Sequence, residues 1–342
     1  MGAKRNSPTM LDVANAVGVS KQTVSAVIND KPGITPETRA RVLAAIQQME
    51  YRPDRVARSL ATGRTQTIAL IVSDISSPFI AKMAVAAEDY AHAHGYRLVV
   101  YNTHDDTRRE RTYFNAASEG AVDGVLFSSA TDQNEGLAIL RSAGIPAVAL
   151  DRVPDPYSGP CVMVDNTLAM RLATDHLLDL GHTHIAYING PQHLRMTRER
   201  DQGFRQAVQA RAIPAANIRV EGTDNWDLQS GHDAMRRILM EAPHVTAVLV
   251  SADVLAIGAM RAVHAAGLRV PDDISIVGMD DIDIAAFQNP PLTTVRQFIA
   301  ELATLGVRLL LDILNGNEIE KTGRVLCPEL VVRQSSGPPR RA

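Results

Sequence analysis

Apolar positions near the front of the chain recur at the spacing of a short helix. Val13 and Val17 fall on one face of a segment that follows Thr9, a residue that can cap a helix. Asp12, three positions after this cap, can close a capping box. Gly18 then ends the helix. The pattern predicts one short helix with a single apolar face.

A second short helix follows after a tight turn. Ser20 can cap it, and Val24, Val27 and Ile28 then face inward. The outward positions of its first turns are Lys21, Gln22, Thr23 and Ser25. Such side chains present hydrogen-bond donors and acceptors that can reach base edges in the major groove of DNA. The two helices predict a helix-turn-helix, and an ordinary helical hairpin with a polar face is the alternative.

A third helix completes a small apolar core. Thr35 can cap it, Pro36 stands at its first position, and Val42, Leu43 and Ile46 supply an apolar stripe. Only a handful of apolar side chains hold this front unit together, so its stability in isolation should be modest.

The stretch "RPDRVARSLATGRTQT" connects this unit to the rest of the chain. Pro53 breaks the preceding helix, Asp54 can cap a new one, and residues 55–61 then form about two turns. A helix this short is unstable alone in water and needs a partner to fold. Its basic side chains Arg55, Arg58 and Arg64 indicate the DNA backbone as that partner, and Leu60 is an apolar side chain without an obvious core. A plain interdomain linker is the alternative.

From Thr67 onward, short apolar runs alternate with helical stretches. The runs are "TIALIVS", "RLVVYNT", "DGVLFSS", "PAVALD", "IAYING", "AVLVSA" and "ISIVGMD". Helices are predicted at 80–94, 108–119, 168–180, 199–212, 228–241, 254–266 and 299–315. Fully apolar strands separated by helices indicate parallel sheets that are buried on both faces. Seven strand–helix pairs exceed one ordinary sheet, so we expect an α/β body of two doubly wound lobes that face each other across a ligand cleft.

Charge and cysteine content narrow the picture. Residues 1–64 hold ten Lys/Arg and five Asp/Glu, so a basic front (+5) precedes an acidic body (−8), as in a nucleic-acid reader attached to a second module. No apolar run is long enough for a membrane span or forms a signal core, which predicts a cytoplasmic protein. Cys161 and Cys327 lack metal-type spacing and are predicted to be buried reduced thiols.

Enzyme and metal functions are disfavoured by the motifs. The pairs His92/His94 and His182/His184 stand two residues apart, a spacing that points them away from each other on a helix. The "DDID" run at 280–283 lacks the glycine and the terminal glutamate of a calcium loop. No phosphate loop, nucleophile elbow or dinucleotide fingerprint is present, so we expect no catalytic residues, no cofactor and no metal.

Several longer motifs in fixed order resemble one family across essentially the whole chain. They include "DVANAVGVSKQTVSAVIN", "TPETRARVLAAIQQMEYRPDRVARSLATGRTQTIALIVSDISSPF", "GHTHIAYINGP", "GLRVPDDISIVGMDD" and "PPLTTV". Together they resemble the lactose-repressor (LacI/GalR) family of bacterial transcription regulators. The resemblance implies a homodimer whose paired helix-turn-helix heads read a near-palindromic operator in double-stranded DNA. It also implies a body of the type I periplasmic-binding-protein-like fold.

The resemblance assigns DNA-contacting roles by position. Base contacts fall on Lys21, Gln22, Ser25 and Ala26, and backbone contacts on Thr9, Ser20, Thr23, Asn29, Thr35 and Tyr51. The connector residues Arg55, Ala57, Arg58 and Leu60 are placed at the minor groove, where the leucine wedges into the operator centre. Two positions depart from the family: Ala26 stands where arginine is usual, which removes one strong base contact, and Asp54 stands where asparagine is common, which favours a capping role.

The resemblance also places an effector site at the strand ends. The implied residues are Phe79, Ile80, Asp151, Arg152, Arg200, Trp226 and Asp280, with Ser128 and Gln297 as weaker candidates. Their charged donors and acceptors can hold paired sugar hydroxyls, and the single tryptophan offers an apolar face for a ring. Interlobe ion pairs or helix caps are the alternatives for the charged residues, and a core role is the alternative for Trp226. Asp253 is expected to cap a helix, and Ala252 replaces an asparagine common in the family, which leaves a purine or nucleoside effector open beside a sugar.

The predicted organisation follows from these assignments. A DNA-binding domain spans 1–52, a hinge 53–65 and an effector-binding and dimerisation domain 66–337, with a tail at 338–342. Lobe one comprises about 66–164 and 295–324, and lobe two about 165–294 and 325–337. We expect an effector-controlled repressor, a dimer rather than a tetramer because leucine heptads are missing at the C-terminal end. A stand-alone sugar-binding protein is the remote alternative.

Overall fold

The chain forms two compact units, residues 1–65 and 66–342. The computed structural model describes residues 8–51, 63–132, 135–319 and 323–340. Within these ranges, no helix has the length and apolar character that crossing a membrane requires.

The front unit consists of three helices with the predicted caps. These are α1 (Met10–Val17), α2 (Lys21–Ile28) and α3 (Pro36–Gln48). The backbone N–H of Thr9 donates to the Asp12 carboxylate at 2.7 Å and the Asp12 N–H donates back to the threonine hydroxyl at 3.3 Å, so the capping box is confirmed. Gly18 ends α1 at φ 71°, and the Ser20 hydroxyl accepts from the N–H of Thr23 at 3.1 Å.

A small valine core holds the three helices together. Its buried members are Val13, Ala14, Val17, Val24, Val27, Val42 and Tyr51. Leu43 was predicted to join the apolar stripe, but it is 51% exposed. The prediction was wrong because Val42 and Ile46 already cover the narrow inner face of α3, which turns the neighbouring position outward.

The second unit is built from twelve strands and eight α-helices within the described residues. The strands are β1 (Thr67–Val72), β2 (Arg97–Asn102), β3 (Gly124–Phe127), β4 (Ala147–Leu150), β5 (Cys161–Val164), β6 (Ile185–Asn189), β7 (Ile218–Gly222), β8 (Ala247–Val250), β9 (Ser275–Asp280), β10 (Thr293–Arg296), β11 (Arg324–Leu326) and β12 (Glu329–Val331). The helices are α4 (Pro78–Ala93), α5 (Thr107–Ala116), α6 (Glu135–Ser142), α7 (Asn166–Asp179), α8 (Arg195–Ala210), α9 (Leu228–Glu241), α10 (Asp253–Ala265) and α11 (Ile299–Leu314).

The strands form two six-stranded sheets, one in each lobe. Lobe one has the order β11-β5-β4-β3-β1-β2 and is parallel throughout, and lobe two has the order β12-β10-β9-β8-β6-β7, with only β12 antiparallel. The chain crosses between the lobes after β5, after β10 and after β11. The two doubly wound lobes that the sequence predicts are thus confirmed.

Five strands and one helix of the second unit were not predicted from the sequence. The missed strands β5, β7, β10, β11 and β12 have three to five residues each. Runs this short cannot be told from loops by periodicity, and the edge strand β7 carries Arg219 and Glu221, which interrupt its apolar run. The missed helix is α6.

The cysteines differ from each other in exposure. Cys161 is buried in β5, as predicted, but Cys327 is exposed, which contradicts the prediction. Cys327 stands between β11 and β12, in a connection that crosses between the lobes, and such connections run over the protein surface.

Candidate functional site

A cavity of about 230 Å³ lies between the two lobes of the second unit. Its walls come from residues that follow the carboxyl ends of strands, where ligands bind in open parallel sheets. Eight of the nine predicted effector residues line it: Phe79, Ile80, Asp151, Arg152, Arg200, Trp226, Asp280 and Gln297. The sequence prediction missed other lining residues, namely Ser73, Asp74, Ser77, His104, Asp105, Met196, Asn225, Asp227, Ala252 and Val254. Asp74 and His104 follow β1 and β2, so the strand-end rule applied to every strand would have found them.

Ser128 does not line the cavity. Its backbone N–H donates to the carbonyl of Ile71 at 2.9 Å, so the residue still belongs to the sheet rather than to the loop beyond it. Its side chain is fully buried, and its hydroxyl has no partner among the described residues.

The strand ends carry unusual backbone geometry. His104, Asp105 and Asp151 have positive φ angles of 54°, 56° and 59°, and Asp280 has φ 132°. Residues other than glycine rarely adopt these backbone conformations, so the surrounding structure must hold these four residues in place. Four of the ten non-glycine residues with positive φ in the described part of the chain therefore line the cavity.

Arg200 is the most deeply buried charged group in the cavity wall. It is 1% exposed, and its Nε donates to Asn166 Oδ1 at 2.9 Å while Nη1 donates to the carbonyl of Ser251 at 2.8 Å. Both partners belong to lobe two, so Arg200 forms no interlobe ion pair within the described residues. Its Nη2 has no hydrogen-bond partner there. The guanidinium is therefore held in place while one donor is left for a ligand.

Arg152 is held differently. It pairs with Asp105 at 2.5 Å, and both residues belong to lobe one. The alternative of an ion pair between lobes is therefore wrong for Arg152 as well. This ion pair keeps the Arg152 guanidinium on the lobe-one wall of the cavity.

Two buried carboxyl groups of the site, Asp151 and Asp280, have raised pKa values. Burial raises the pKa of Asp151, and Arg200 offsets part of this effect. The pKa of Asp280 also lies well above its ordinary value because of burial and the neighbouring Asp253. Gln297 Nε2 donates to Asp280 Oδ1 at 2.5 Å, and its own Oε1 lacks a partner among the described residues.

Asp253 does not cap a helix, contrary to the prediction. The N-cap of α10 is Ala252, and Asp253 is the first helical residue. Its carboxylate instead accepts from the Thr294 hydroxyl at 2.5 Å and from the Ile282 N–H at 3.1 Å, which ties α10 to β10 and to the segment that follows β9. Complete burial raises its pKa to about 7.

Trp226 combines a packing role with a place in the cavity wall. The indole packs against the apolar core, and the guanidinium carbon of Arg200 lies 5.7 Å from its ring centre. Gly190 lies so close that an added Cβ would be 2.1 Å from a ring atom. The indole Nε1 is buried and has no hydrogen-bond partner among the described residues.

The site offers hydrogen bonding without an evident metal cage. Among the described residues, no group of three or more His, Cys, Asp and Glu side chains could hold a metal ion. Buried carboxyl groups can accept hydrogen bonds from hydroxyl groups, and Arg200 Nη2 and Trp226 Nε1 are donors without a partner among the described residues.

The front unit presents a polar face on α2. Lys21 and Gln22 are exposed, whereas Thr23, Ser25 and Ala26 are half-buried. Asn29 Nδ2 donates to the carbonyl of Ser25 at 2.8 Å. Lys21 and Gln22 are thus the freest of the predicted base-contacting side chains.

Four of the six predicted backbone-contacting residues have a structural role within the front unit. The hydroxyls of Thr9, Ser20 and Thr35 cap helices, which leaves them at helix N-termini where phosphates bind well. Tyr51 is 7% exposed in the valine core, so packing is its principal role in this unit. The predicted minor-groove residues Arg55, Ala57, Arg58 and Leu60 lie outside the described residues, as does Asp54.

Comparisons with known proteins cover both units. The family model for bacterial regulatory proteins of the lacI family matches residues 9–54, and the model for the periplasmic binding protein-like domain matches residues 174–336. The ribose operon repressor of Halalkalibacterium halodurans is 36% identical over 328 residues, which are 96% of this chain and 97% of that protein.

Two solved structures show the same architecture. The Lac repressor dimer bound to operator and the anti-inducer ONPF superimposes with a TM-score of 0.88 at 30% identity, covering 96% of this chain and 99% of that one. A LacI family regulator from Enterococcus faecium with bound ribose superimposes with a TM-score of 0.73 at 28% identity, covering 80% and 99% of the two chains. With identity above 30% across nearly the whole length of a relative, the chain belongs to the lacI family of bacterial regulatory proteins.

Proposed function

We propose that this regulator is a dimeric transcriptional repressor whose affinity for operator DNA is set by an uncharged monosaccharide bound between the lobes. The related protein from Halalkalibacterium halodurans is named a ribose operon repressor, and the Lac repressor structure contains operator DNA. The proposed action is regulatory rather than catalytic, and it takes place in the cytoplasm, where bacterial operators are.

The observation that carries the sugar proposal is the set of unsatisfied polar atoms in the cavity wall. Arg200 Nη2, Trp226 Nε1 and Gln297 Oε1 are buried without partners among the described residues. A buried donor or acceptor left unpaired costs roughly 1–3 kcal/mol, so groups of this kind are normally paired. Neighbouring hydroxyls of a sugar ring would supply both donors and acceptors at once.

The size of the cavity favours a small ligand. Its volume of about 230 Å³ lies below the roughly 300–1,000 Å³ of sites for drug-sized molecules. A single sugar ring suits this space better than a disaccharide or a nucleotide.

Charge favours an uncharged ligand. The lining includes the carboxylates of Asp74, Asp105, Asp151, Asp227 and Asp280, against the two arginines described above. With Asp151 and Asp280 kept protonated by burial, the remaining three carboxylates still outnumber the two arginines, so a phosphorylated sugar would meet net repulsion. A neutral polyol uses the same carboxylates as acceptors.

Apolar side chains offer a surface for a second copy of the chain. Val85 on α4 is 62% exposed, and Ile284 and Phe287 in the 3-10 turn Asp283–Phe287 are 51% and 84% exposed. The Lys82–Asp283 ion pair at 2.5 Å brings α4 of lobe one beside this turn of lobe two. A dimer that buries this surface would sense movement between the lobes, since both lobes contribute to it.

Regulation then follows from linkage. A sugar that binds one arrangement of the lobes more tightly shifts the population toward that arrangement. DNA bound by the paired front units must in turn change sugar affinity by the same factor. The hinge residues 53–65 are proposed to transmit this change, with Leu60 as the minor-groove wedge.

The test uses calorimetry and operator binding on the same preparations. D-ribose, D-glucose, ribose 5-phosphate and adenosine are titrated into the full chain, and selected operator fragments are then bound with and without each ligand. We expect binding of a neutral monosaccharide and an altered operator affinity. Preferential binding of adenosine or of the phosphorylated sugar would refute the proposed ligand class.

A matched pair of variants localises the site. Arg200→Met removes the buried donor, whereas Arg205→Met changes an exposed residue of the same helix that pairs with Asp201 at 2.6 Å. Only the first variant should lose sugar binding. Equal loss in both variants, or in neither, would place the ligand elsewhere.

A further inference from the structure

Asp132 bridges the two lobes without lining the cavity. It belongs to lobe one, in the segment between β3 and α6. Its Oδ1 accepts from the backbone N–H of Arg195 at 3.1 Å, and its Oδ2 accepts from Arg198 Nη2 at 2.8 Å. Both partners stand in the first turn of α8, which belongs to lobe two. A carboxylate from one lobe thus caps a helix of the other, where it complements the positive end of the helix dipole.

The contact belongs to a closed seam. Leu194 and Met196 of lobe two face Ser129 and Val153 of lobe one, and the space between these residues is too small for a water molecule. Arg198 also lies 3.7 Å from Asp155 of lobe one. Moving the lobes apart would break the bonds of Asp132, because its partners would move with α8.

A chain of hydrogen bonds joins this contact to the cavity. Arg195 Nε donates to Glu199 Oε1 at 2.6 Å, and Asn166 Nδ2 donates to Glu199 Oε2 at 3.2 Å. Asn166 Oδ1 in turn accepts from Arg200 Nε. The guanidinium whose Nη2 is free for a ligand is therefore oriented by residues that Asp132 fastens across the cleft.

We infer that Asp132 is a positioning residue for the effector response: it fastens the first turn of α8 to lobe one and thereby fixes the orientation of Arg200 in the closed cleft. The inference rests on the proposed function only for the identity of the ligand. Asp132 binds no ligand itself.

The first experiment requires no ligand. Hydrogen exchange of residues 194–199 is compared in the full-length wild type, Asp132→Ala, Asp132→Asn and the control Asp179→Ala, which breaks an Asp–Arg pair at 2.5 Å within lobe two. Loss of a helix cap should accelerate exchange in Asp132→Ala roughly 2- to 30-fold. Asp132→Asn should retain part of the protection because its amide oxygen still accepts from the Arg195 N–H. Unchanged exchange in Asp132→Ala would overturn the inference.

The second experiment measures D-ribose binding by calorimetry on the same variants. We expect weaker binding in Asp132→Ala by a factor similar to the change in exchange, and wild-type binding in Asp179→Ala. Faster exchange together with unchanged affinity would show that Asp132 does not position Arg200. If the wild type binds no sugar, the proposed function fails, while the exchange experiment still decides whether Asp132 holds the lobes together.

Discussion

Substituting Gly190 by alanine should damage the proposed effector site through a single methyl group. A Cβ at this position would lie 2.1 Å from Cη2 and 2.3 Å from Cζ2 of Trp226. Carbon atoms in contact normally lie about 3.5–4.0 Å apart, so the indole must withdraw by more than ~1 Å. Forcing an extra methyl into a packed interior costs roughly 1–3 kcal/mol, which corresponds to a sugar affinity about 5- to 150-fold weaker if the ligand requires the present ring position.

The assay is direct because Trp226 is the only tryptophan of the chain. Its fluorescence reports the ring environment in the free protein, and titration with D-ribose gives the affinity. Gly222→Ala is the matched control, since a Cβ at that strand end meets no atom within 4 Å. We expect a shifted emission and weaker binding in Gly190→Ala only. Wild-type emission and affinity in Gly190→Ala would refute the assigned contact between backbone and ring.

Three further predictions concern stability, assembly and DNA reading. Burial raises the pKa of Asp253 from 3.8 in the unfolded chain to about 7, so the native state binds a proton that the unfolded state releases, and the stability falls as the pH rises from 3.8 to about 7. The melting temperature of Asp253→Asn minus that of the wild type should therefore be larger at pH 8 than at pH 5. A difference that does not depend on pH would contradict the assignment. Phe287→Asp should yield monomers in sedimentation and weaken operator binding, whereas Met240→Asp, at another exposed apolar position (67%), should remain dimeric. Ala26→Arg should change the base preferred at one position of each half-site in operator selection, and an unchanged selection would show that this side chain does not face a base.

The local features of the fold were predictable because their causes are local. The capping box of Thr9 and Asp12 needs only residues three positions apart, and the apolar runs of β1 or β9 identify buried parallel strands without reference to their neighbours. The strands β11 and β12 gain their conformation from pairing with β5 and β10, which stand far from them in sequence. Their own three residues carry no periodic signal.

In the cleft, too, some residues could be predicted from the sequence and some contacts could not. Asp151 and Asp280 could be predicted because they follow the carboxyl ends of strands, and topology fixes the carboxyl edge of a parallel sheet. Residue type alone does not determine which partner a side chain takes, as Asp253 shows by binding Thr294 rather than its own helix. The first turn of α8 was missed for a related reason: residues 195–198 are mostly polar, and their cap, Asp132, comes from the other lobe.

The unsatisfied atoms of the cavity explain why closure should depend on the ligand. Arg200 Nη2, Trp226 Nε1 and Gln297 Oε1 are buried by the surrounding lobes, and no described residue satisfies them. Burial without a partner opposes closure, whereas the Asp132 and Lys82 contacts favour it. Each unpaired buried group costs roughly 1–3 kcal/mol, so a few hydrogen bonds from a sugar can change which arrangement predominates. A coupling of this kind requires the polar atoms to be held rigidly. A side chain that was free to rotate would find another hydrogen-bond partner, and ligand binding would then gain no free energy from it.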